Sequence, residues 1–326
     1  MKTHTSLPRI PTTMNTRPSH GVSRHQQASE LEIPKDSTDI GKQVTVAGMT
    51  GEQLKAGPWT KAAAGLAAAG MTGILAKAGL AVAAAANPIG MAAAVAGTMA
   101  ASYLGADLVS GVFHHAVDNY TTPGEGRFGE MASEFIGHHY FGNSLSQSEP
   151  VENVNPLVKV AGPALVGLAL APINPLLGVA AAVGIGGTLV AQLSHRFSHE
   201  PRPPKAIQIM QDTGITQSKK DHAKHHRVPW STNYTIVNGA LNPILDKTNF
   251  WRKWENVIFK VTGVEPKTWK HPAIKDFATG KISEKEYKER FQSEIPVYKE
   301  RIGYQQEREQ AKQYLHNKFV ERSQGN

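Results

Sequence analysis

An all-α, multi-pass membrane helical bundle is the fold this sequence predicts, and three observations carry it. Two long runs of Ala, Gly, Leu, Ile and Val hold almost no charge. A basic stretch follows directly on the second run. From His195 to Lys270 there are 13 Lys/Arg against 6 Asp/Glu, which accounts for seven of the eight net positive charges. Basic charge beside an apolar run is the orientation signature of a membrane protein. Finally, nine of the 14 histidines fall in four tight groups between positions 114 and 226, at the ends of the apolar segments.

Residues 1–56 are rich in Ser, Thr, Pro and His without sustained apolar periodicity, and read as a disordered polar leader. The leader has no apolar h-region, so it is not a Sec signal peptide. Its composition also suits a secreted effector that inserts into a host membrane. From Ala62 to Ala106 the chain is almost wholly apolar, broken by Lys77, and Ala78–Ala106 is uncharged over 29 residues. Val160–Ser194 is uncharged over 35 residues and contains Pro163, Pro172 and Pro175. A bilayer core takes about 20 apolar helical residues per crossing. The lengths predict one helix before Lys77, one through Asn87–Pro88 into the first histidine group, and one or two between 157 and 194. Pro-Ile-Asn-Pro at 172–175 predicts a tight turn between two of them. The competing reading is a soluble Ala-rich bundle, since Ala and Gly contribute little transfer energy.

Thr248–Thr262 places Phe250, Trp251, Trp254, Ile258 and Val261 on one helical face, with Gly263 as the stop. Trp on the apolar side of such a helix suits a membrane interface or packing against the domain. Ser283–Glu286 forms a capping box that opens a charged, helical C-terminal stretch. The organisation read from these segments is a leader over 1–56, a membrane domain over 57–270 and a charged, solvated helical appendage over 271–326.

The histidine groups carry the chemistry. The first is His114–His115, with Asp107 and Asp118 on the same helical face as His114. The second is His138–His139, with Glu134 one turn earlier. His195 and His199 form an i, i+4 pair that can direct two imidazoles at one ion. His222, His225 and His226 form an i, i+3 and i, i+4 set. Single histidines are usually satisfied surface or core residues, but paired ones recurring at the ends of apolar segments point to metal. Imidazole-rich sites without thiolate suit Fe, Zn, Cu or Ni. Eight or nine candidate ligands exceed what one ion takes, so the count favours two. The chain has no cysteine, which excludes disulfides, thiolate zinc, iron–sulfur clusters and a Cys nucleophile. Nucleotide-loop, serine-hydrolase and zinc-protease motifs are absent too. Nucleic acid is not an expected partner, because the basic charge is not interleaved with stacking aromatics on a recognisable module.

These residues, taken in order, resemble a known family. ADLVSGVFHHAVD at 106–118, His138–His139, HRFSH at 195–199, MQDTGITQSKKDHAKHH at 210–226 and NFWRKWENVIFKVTGVEP at 249–266 are similar to the Kua/CarF family of lipid desaturases. That family includes plasmanylethanolamine desaturase and the plant desaturase acting on phosphatidylglycerol palmitate. The resemblance covers roughly 100–266. It implies a fatty-acid-desaturase-like membrane enzyme with a histidine-coordinated di-iron centre, two irons per chain, which uses O2 and two electrons to desaturate a phospholipid chain. His114, His138, His139, His195, His199, His222, His225 and His226 become the implied iron ligands, and Asp107 and Asp118 acidic partners of the first group.

Three positions depart from the family pattern. His115 stands where an aromatic residue is usual, Ser148-Glu149 where a further histidine is usual, and Asp221 where the last group usually begins with histidine. They leave His115 and Glu149 as substitute ligands.

The basic residues Arg196, Lys219, Lys220, Lys224 and Arg227 would face anionic headgroups or simply mark the cytosolic side. No flavin or nicotinamide fingerprint is visible, so electrons are expected from a partner such as a ferredoxin or a cytochrome b5. Lipid hydroxylation and a non-enzymatic, membrane-bound binding role are the alternatives to desaturation.

Overall fold

The structure is a computed structural model that describes residues 54–126 and 128–324; the predicted leader lies outside the described residues except for its last three positions. The described residues are helical with no strands, apart from one isolated bridge joining Leu54 to Ser148. Eight helices organise the fold: α1 (Pro58–Ala84), α2 (Pro88–Tyr120), α3 (Gly129–Tyr140), α4 (Asn155–Leu170), α5 (Pro175–His199), α6 (Lys219–His225), α7 (Phe250–Thr262) and α8 (Tyr304–Gln324). Further short helices and turns link them.

Helices α1, α2 and α5 are long and apolar enough to cross a membrane. Their 27, 33 and 25 residues span about 37–50 Å at 1.5 Å per residue, against about 30 Å of hydrocarbon. The sequence predicts a helix running through Asn87–Pro88, and the structure corrects this. Helix α1 instead runs through Lys77 and ends at Ala84, and α2 starts at Pro88. Asn87 stops the run because its Oδ1 accepts the Gly90 N–H, and Pro88 at the first helical position has no N–H to donate. The predicted turn at 172–175 is present, with Asn174 capping α5 at Leu176.

Two hydrogen bonds show that α1 and α4 run in the same direction. Thr60 Oγ1 donates to Asn155 Oδ1 at one end, and Lys77 Nζ donates to the Ala171 carbonyl at the other. Helices α2 and α5 return in the opposite sense, so the ends that carry His114 and His195–His199 meet on one side. Ala67, Ile74, Ala78, Leu165, Val179 and Ala182 pack the core between α1, α4 and α5. The apolar stretch of α2, by contrast, has no fully buried residue, and only partly buried side chains such as Val95 and Tyr103 pack against the described core. Burial in α2 begins at Asp107 and continues to Asn119.

Helix α7 turns most of its predicted apolar face inward, with Trp251 buried and Phe250 and Trp254 packed beside it, but it buries two charged residues as well. Trp251, Arg252 and Glu255 are buried, while Val257 and Val261 are exposed. The polar pair turns inward because Glu255 has a buried set of donors to satisfy, described below. Gly263 does stop the helix, with φ at 72° and its N–H bonded to the Phe259 carbonyl. The C-terminal stretch is not solvated throughout. Tyr298, Ala311 and Leu315 form one buried cluster with Ile136, Tyr140 and Phe141 of the α3 region and with Trp230. Lys318 of α8 pairs with Glu130 and Glu134 of α3.

Candidate metal centre

The helix ends bring nine of the chain's candidate ligands into two adjoining groups. His138, His195, His199, His222 and His226 form the first, and His114, Asp118, His139 and His225 the second. Within each group one ligand atom per residue lies within 4.8 Å of all the others. In the five-histidine group, His195 Nε2 is 3.0 Å from His138 Nε2, His222 Nε2 is 2.8 Å from His199 Nε2, and His226 Nε2 is 3.0 Å from His222 Nε2. In the second group His139 and His225 approach to 3.0 Å through their Nε2 atoms. Asp118 Oδ2 lies 3.4 Å from His114, 3.6 Å from His139 and 3.4 Å from His225. The groups abut: the His114 and His195 rings, one from each, are 5.3 Å apart.

Helix geometry explains the division. Residues four apart share a face, so His195 and His199 enter the same group. Neighbours in sequence point about 100° apart, since a turn takes about 3.6 residues. His138 and His139 therefore separate into different groups, and so do His225 and His226. Helix α3 thus supplies each group with one ring, while α6 and the residue after it give His222 and His226 to the first group and His225 to the second.

Imidazoles bind metal through a lone pair, and the surroundings supply that state. His114 Nδ1 lies 3.1 Å from the Tyr234 carbonyl and His225 Nδ1 lies 2.8 Å from the Thr232 carbonyl. A carbonyl only accepts, so each Nδ1 carries the proton and Nε2 is left bare. His138, His139, His222 and His226 are held well below the ordinary histidine value, first by burial and then by neighbouring imidazoles. They are neutral at pH 7.

Both oxygens of Asp118 and Nε2 of His114 are buried without a hydrogen-bond partner. Leaving a buried carboxylate bare is costly unless a cation neutralises it. Ligands about 2.0–2.1 Å from one ion and at right angles to each other sit about 3 Å apart, which matches the Nε2 separations. By donor set and spacing, both groups could hold a first-row transition ion, and iron is among those that suit imidazole.

Other sequence candidates lie elsewhere. Asp107 stands outside both groups. Its Oδ1 accepts the N–H groups of Val237, Asn238 and Gly239, and its Oδ2 that of Leu241. His115 faces away from His114: its Nε2 lies 3.2 Å from Glu255 and its ring stacks on Trp251 at 5.1 Å. Glu149 accepts the Ala56 N–H at 2.9 Å and sits 3.8 Å from Lys61. Arg196 is not on the basic surface but buried, bonded to the Ser148 carbonyl, Asn153 and Glu200.

A buried polar network went unread in the sequence. Glu255 Oε1 accepts from Arg252 at 2.7 Å and from Thr268 at 2.8 Å, and Oε2 accepts from Trp269 Nε1 at 3.1 Å. Burial pushes the Glu255 carboxyl up, but Arg252, His115 and Thr268 together outweigh it and hold it below its usual value. Charges in an amphipathic segment read as solvent-facing, so nothing local marked this one.

The model of the lipid desaturase domain matches residues 103–269, just over half of the chain, and the match spans all four histidine groups. The chain belongs to the lipid desaturase family. Within that family it is similar to the chloroplastic fatty acid desaturase 4-like 1 of Arabidopsis thaliana, 32% identical over 53% of this chain and 59% of the relative. It is also similar to plasmanylethanolamine desaturase of Myxococcus xanthus, 26% identical over 51% of this chain and 60% of the relative. Plasmanylethanolamine desaturase 1 of the mouse matches over a shorter stretch, 34% identical over 26% of this chain and 31% of the relative. The chain thus spans little more than half the length of the curated desaturases it matches. No solved structure matches it.

Proposed function

We propose that this desaturase-family chain is an integral membrane lipid desaturase whose two ligand groups hold two iron ions. The observation that carries the reading is the division of nine ligands, eight of them buried and His226 half-buried, into two abutting groups, one of them containing a buried carboxylate with no hydrogen-bond partner. His138, His195, His199, His222 and His226 would hold one iron; His114, Asp118, His139 and His225 would hold the other. What such a pair supplies is oxygen activation: O2, two electrons and two protons convert two adjacent methylenes to a double bond, releasing two waters.

The chain's own residues prepare that chemistry. Carbonyls of Tyr234 and Thr232 fix two rings so that Nε2 faces the centre. Phe135 packs against rings of both groups, with its centroid 5.5 Å from His114 and 6.0 Å from His138. Helices α1, α2 and α5 would cross the bilayer and leave the ligand groups on the cytosolic face. Exposed Lys220, Lys224 and Arg227 would lie at the headgroups there. The substrate would be a membrane phospholipid, and the electrons would come from a ferredoxin or cytochrome b5.

The test is lipid mass spectrometry of cells expressing the wild-type chain or a His139→Ala/His225→Ala variant. A product lighter by two hydrogens, absent with the variant, is expected. A product gaining one oxygen would make the chain a hydroxylase. An unchanged cellular effect from the variant would point to a binding role instead.

A further inference from the structure

One side of the four-residue ligand group leads to the surface through rings that can be oxidised. The Trp230 indole stacks on the His139 imidazole, with centroids 5.0 Å apart and planes 16° off parallel. Tyr304 stacks on Trp230 in turn, at 6.1 Å and 18°. Tyr140 touches both, 5.3 Å from Trp230 and 5.0 Å from Tyr304. Trp230 and Tyr140 are buried and Tyr304 is half-buried, so the series starts at a ligand ring and ends at solvent.

Packing alone does not account for Trp230. Its φ is 57°, a left-handed conformation that bulky residues rarely adopt and that the surroundings must hold in place. Its N–H donates to the Arg227 carbonyl at 2.7 Å, and its own carbonyl accepts the Tyr234 hydroxyl at 2.7 Å. The backbone is thus tied on both sides of the residue that sets its indole on His139. A second aromatic series also touches the ligands. It runs from Tyr234, 5.0 Å from His225, to Trp251 at 4.8 Å and on to Phe250 at 5.1 Å. A phenyl ring is far harder to oxidise than an indole or a phenol, so Phe250 interrupts that series. At the outer end of the first, Lys299 Nζ lies 5.1 Å from the centre of the Tyr304 ring. A cation there attracts a small anionic reductant.

We infer that Trp230 and Tyr304 form a one-electron route that discharges the oxidised metal centre when no lipid is in place. The inference rests on the di-iron reading of the two ligand groups. Desaturation reduces O2 to two waters with two electrons from the donor and two, with two protons, from the lipid. Without lipid the second pair of electrons would come through the rings. Trp230 gives one electron to the centre and is refilled by Tyr304, whose phenol proton leaves to water. An ascorbate-class reductant then returns a hydrogen atom to Tyr304 and departs as its one-electron-oxidised radical. Two such passages, with the two protons returned through water, complete the reduction of O2. The ligand imidazoles are spared oxidation.

The test is freeze-quenched electron paramagnetic resonance of the iron-loaded full-length protein in detergent, reduced anaerobically and mixed with O2 without phospholipid, followed by peptide mapping. The wild type is expected to show a tyrosyl radical signal that narrows with ring-deuterated tyrosine and decays several-fold faster with ascorbate. Trp230→Phe should abolish the signal at unchanged iron content and raise oxidation of the His139 and His225 peptides several-fold. Tyr304→Phe should leave a radical on the buried rings and slow its decay with ascorbate several-fold. A radical that persists in Trp230→Phe, one lost in Trp251→Phe instead, or histidine oxidation equal in every chain overturns the inference. The expected radical without any double bond formed in added phospholipid would keep the inference and sink the desaturase reading. Double-bond formation with no radical at Trp230 or Tyr304 would do the reverse, and a chain that takes up no iron would sink both.

Discussion

His139 and His225 are 86 residues apart in sequence, yet their Nε2 atoms lie 3.0 Å from each other. That contact joins α3 to α6. Next to each lies the histidine that turns the other way: His138 and His226 both belong to the five-histidine group. The paired histidines are therefore the device by which two short helices serve two sites at once. Replacing one member of a pair should affect one site only.

Asp107 acts on the loop that follows Tyr234 rather than at either ligand group. Asp107→Ala would leave four backbone N–H groups of residues 237–241 without their acceptor. Unsatisfied buried donors cost about 1–3 kcal/mol each, and water would recover part of that at the half-buried positions. The expected loss is about 2–4 kcal/mol, measured as a drop in thermal midpoint in detergent, with iron per folded chain unchanged.

Glu255 provides a pH test. Its carboxyl is held below the ordinary value of 4.5, so its stabilising effect is complete above that pH and is lost as pH falls through the lower folded value. Glu255→Gln leaves Arg252 buried without its counter-charge, at a cost of about 3–5 kcal/mol near neutrality. The gap in melting temperature between wild type and variant should narrow as the pH drops below 4.5. A gap that is constant with pH would contradict this assignment.

Glycine permits a close approach of α1 and α4 in the apolar core. A Cβ on Gly70 would lie 2.5 Å from the backbone carbonyl carbon of Leu165, a contact no side-chain rotation relieves. Gly70→Ala should push α1 from α4 and destabilise by about 1–3 kcal/mol. Gly79→Ala in the same helix meets nothing and should be neutral, which thermal unfolding of the two variants would show.

Helix α8 supports the ligand-bearing α3. Leu315 packs 3.2 Å from where a Cβ on Gly137 would stand, one residue before His138. Leu315→Ala should cost about 2–5 kcal/mol and leave α3 less firmly placed. Faster loss of iron to a chelator is the expected readout.

Much of this was legible in the sequence because it rests on local chemistry. The Ala- and Gly-rich runs, Pro175 and Gly263 marked helices and their ends, and the i, i+4 spacing of His195 and His199 marked a shared site. What was not legible depends on partners distant in sequence. His114 and His115 look equivalent as neighbours, but only His114 faces the centre, because Glu255, 140 residues away, pairs with His115. Asp107 shares a helical face with His114 and Asp118, yet the backbone N–H groups of the 237–241 loop take up its carboxylate. Arg196 reads as a surface charge, and Glu255 carries no signal at all, until the chain around them is in place.

The most direct test of the central claim is the iron content of the detergent-purified protein, compared across site-specific variants by elemental analysis. Two irons per wild-type chain are expected, about one in His222→Ala/His226→Ala, and about one in Asp118→Ala/His139→Ala, in line with the separate groups. No iron in the wild type, or a single metal that both variants leave in place, would contradict it.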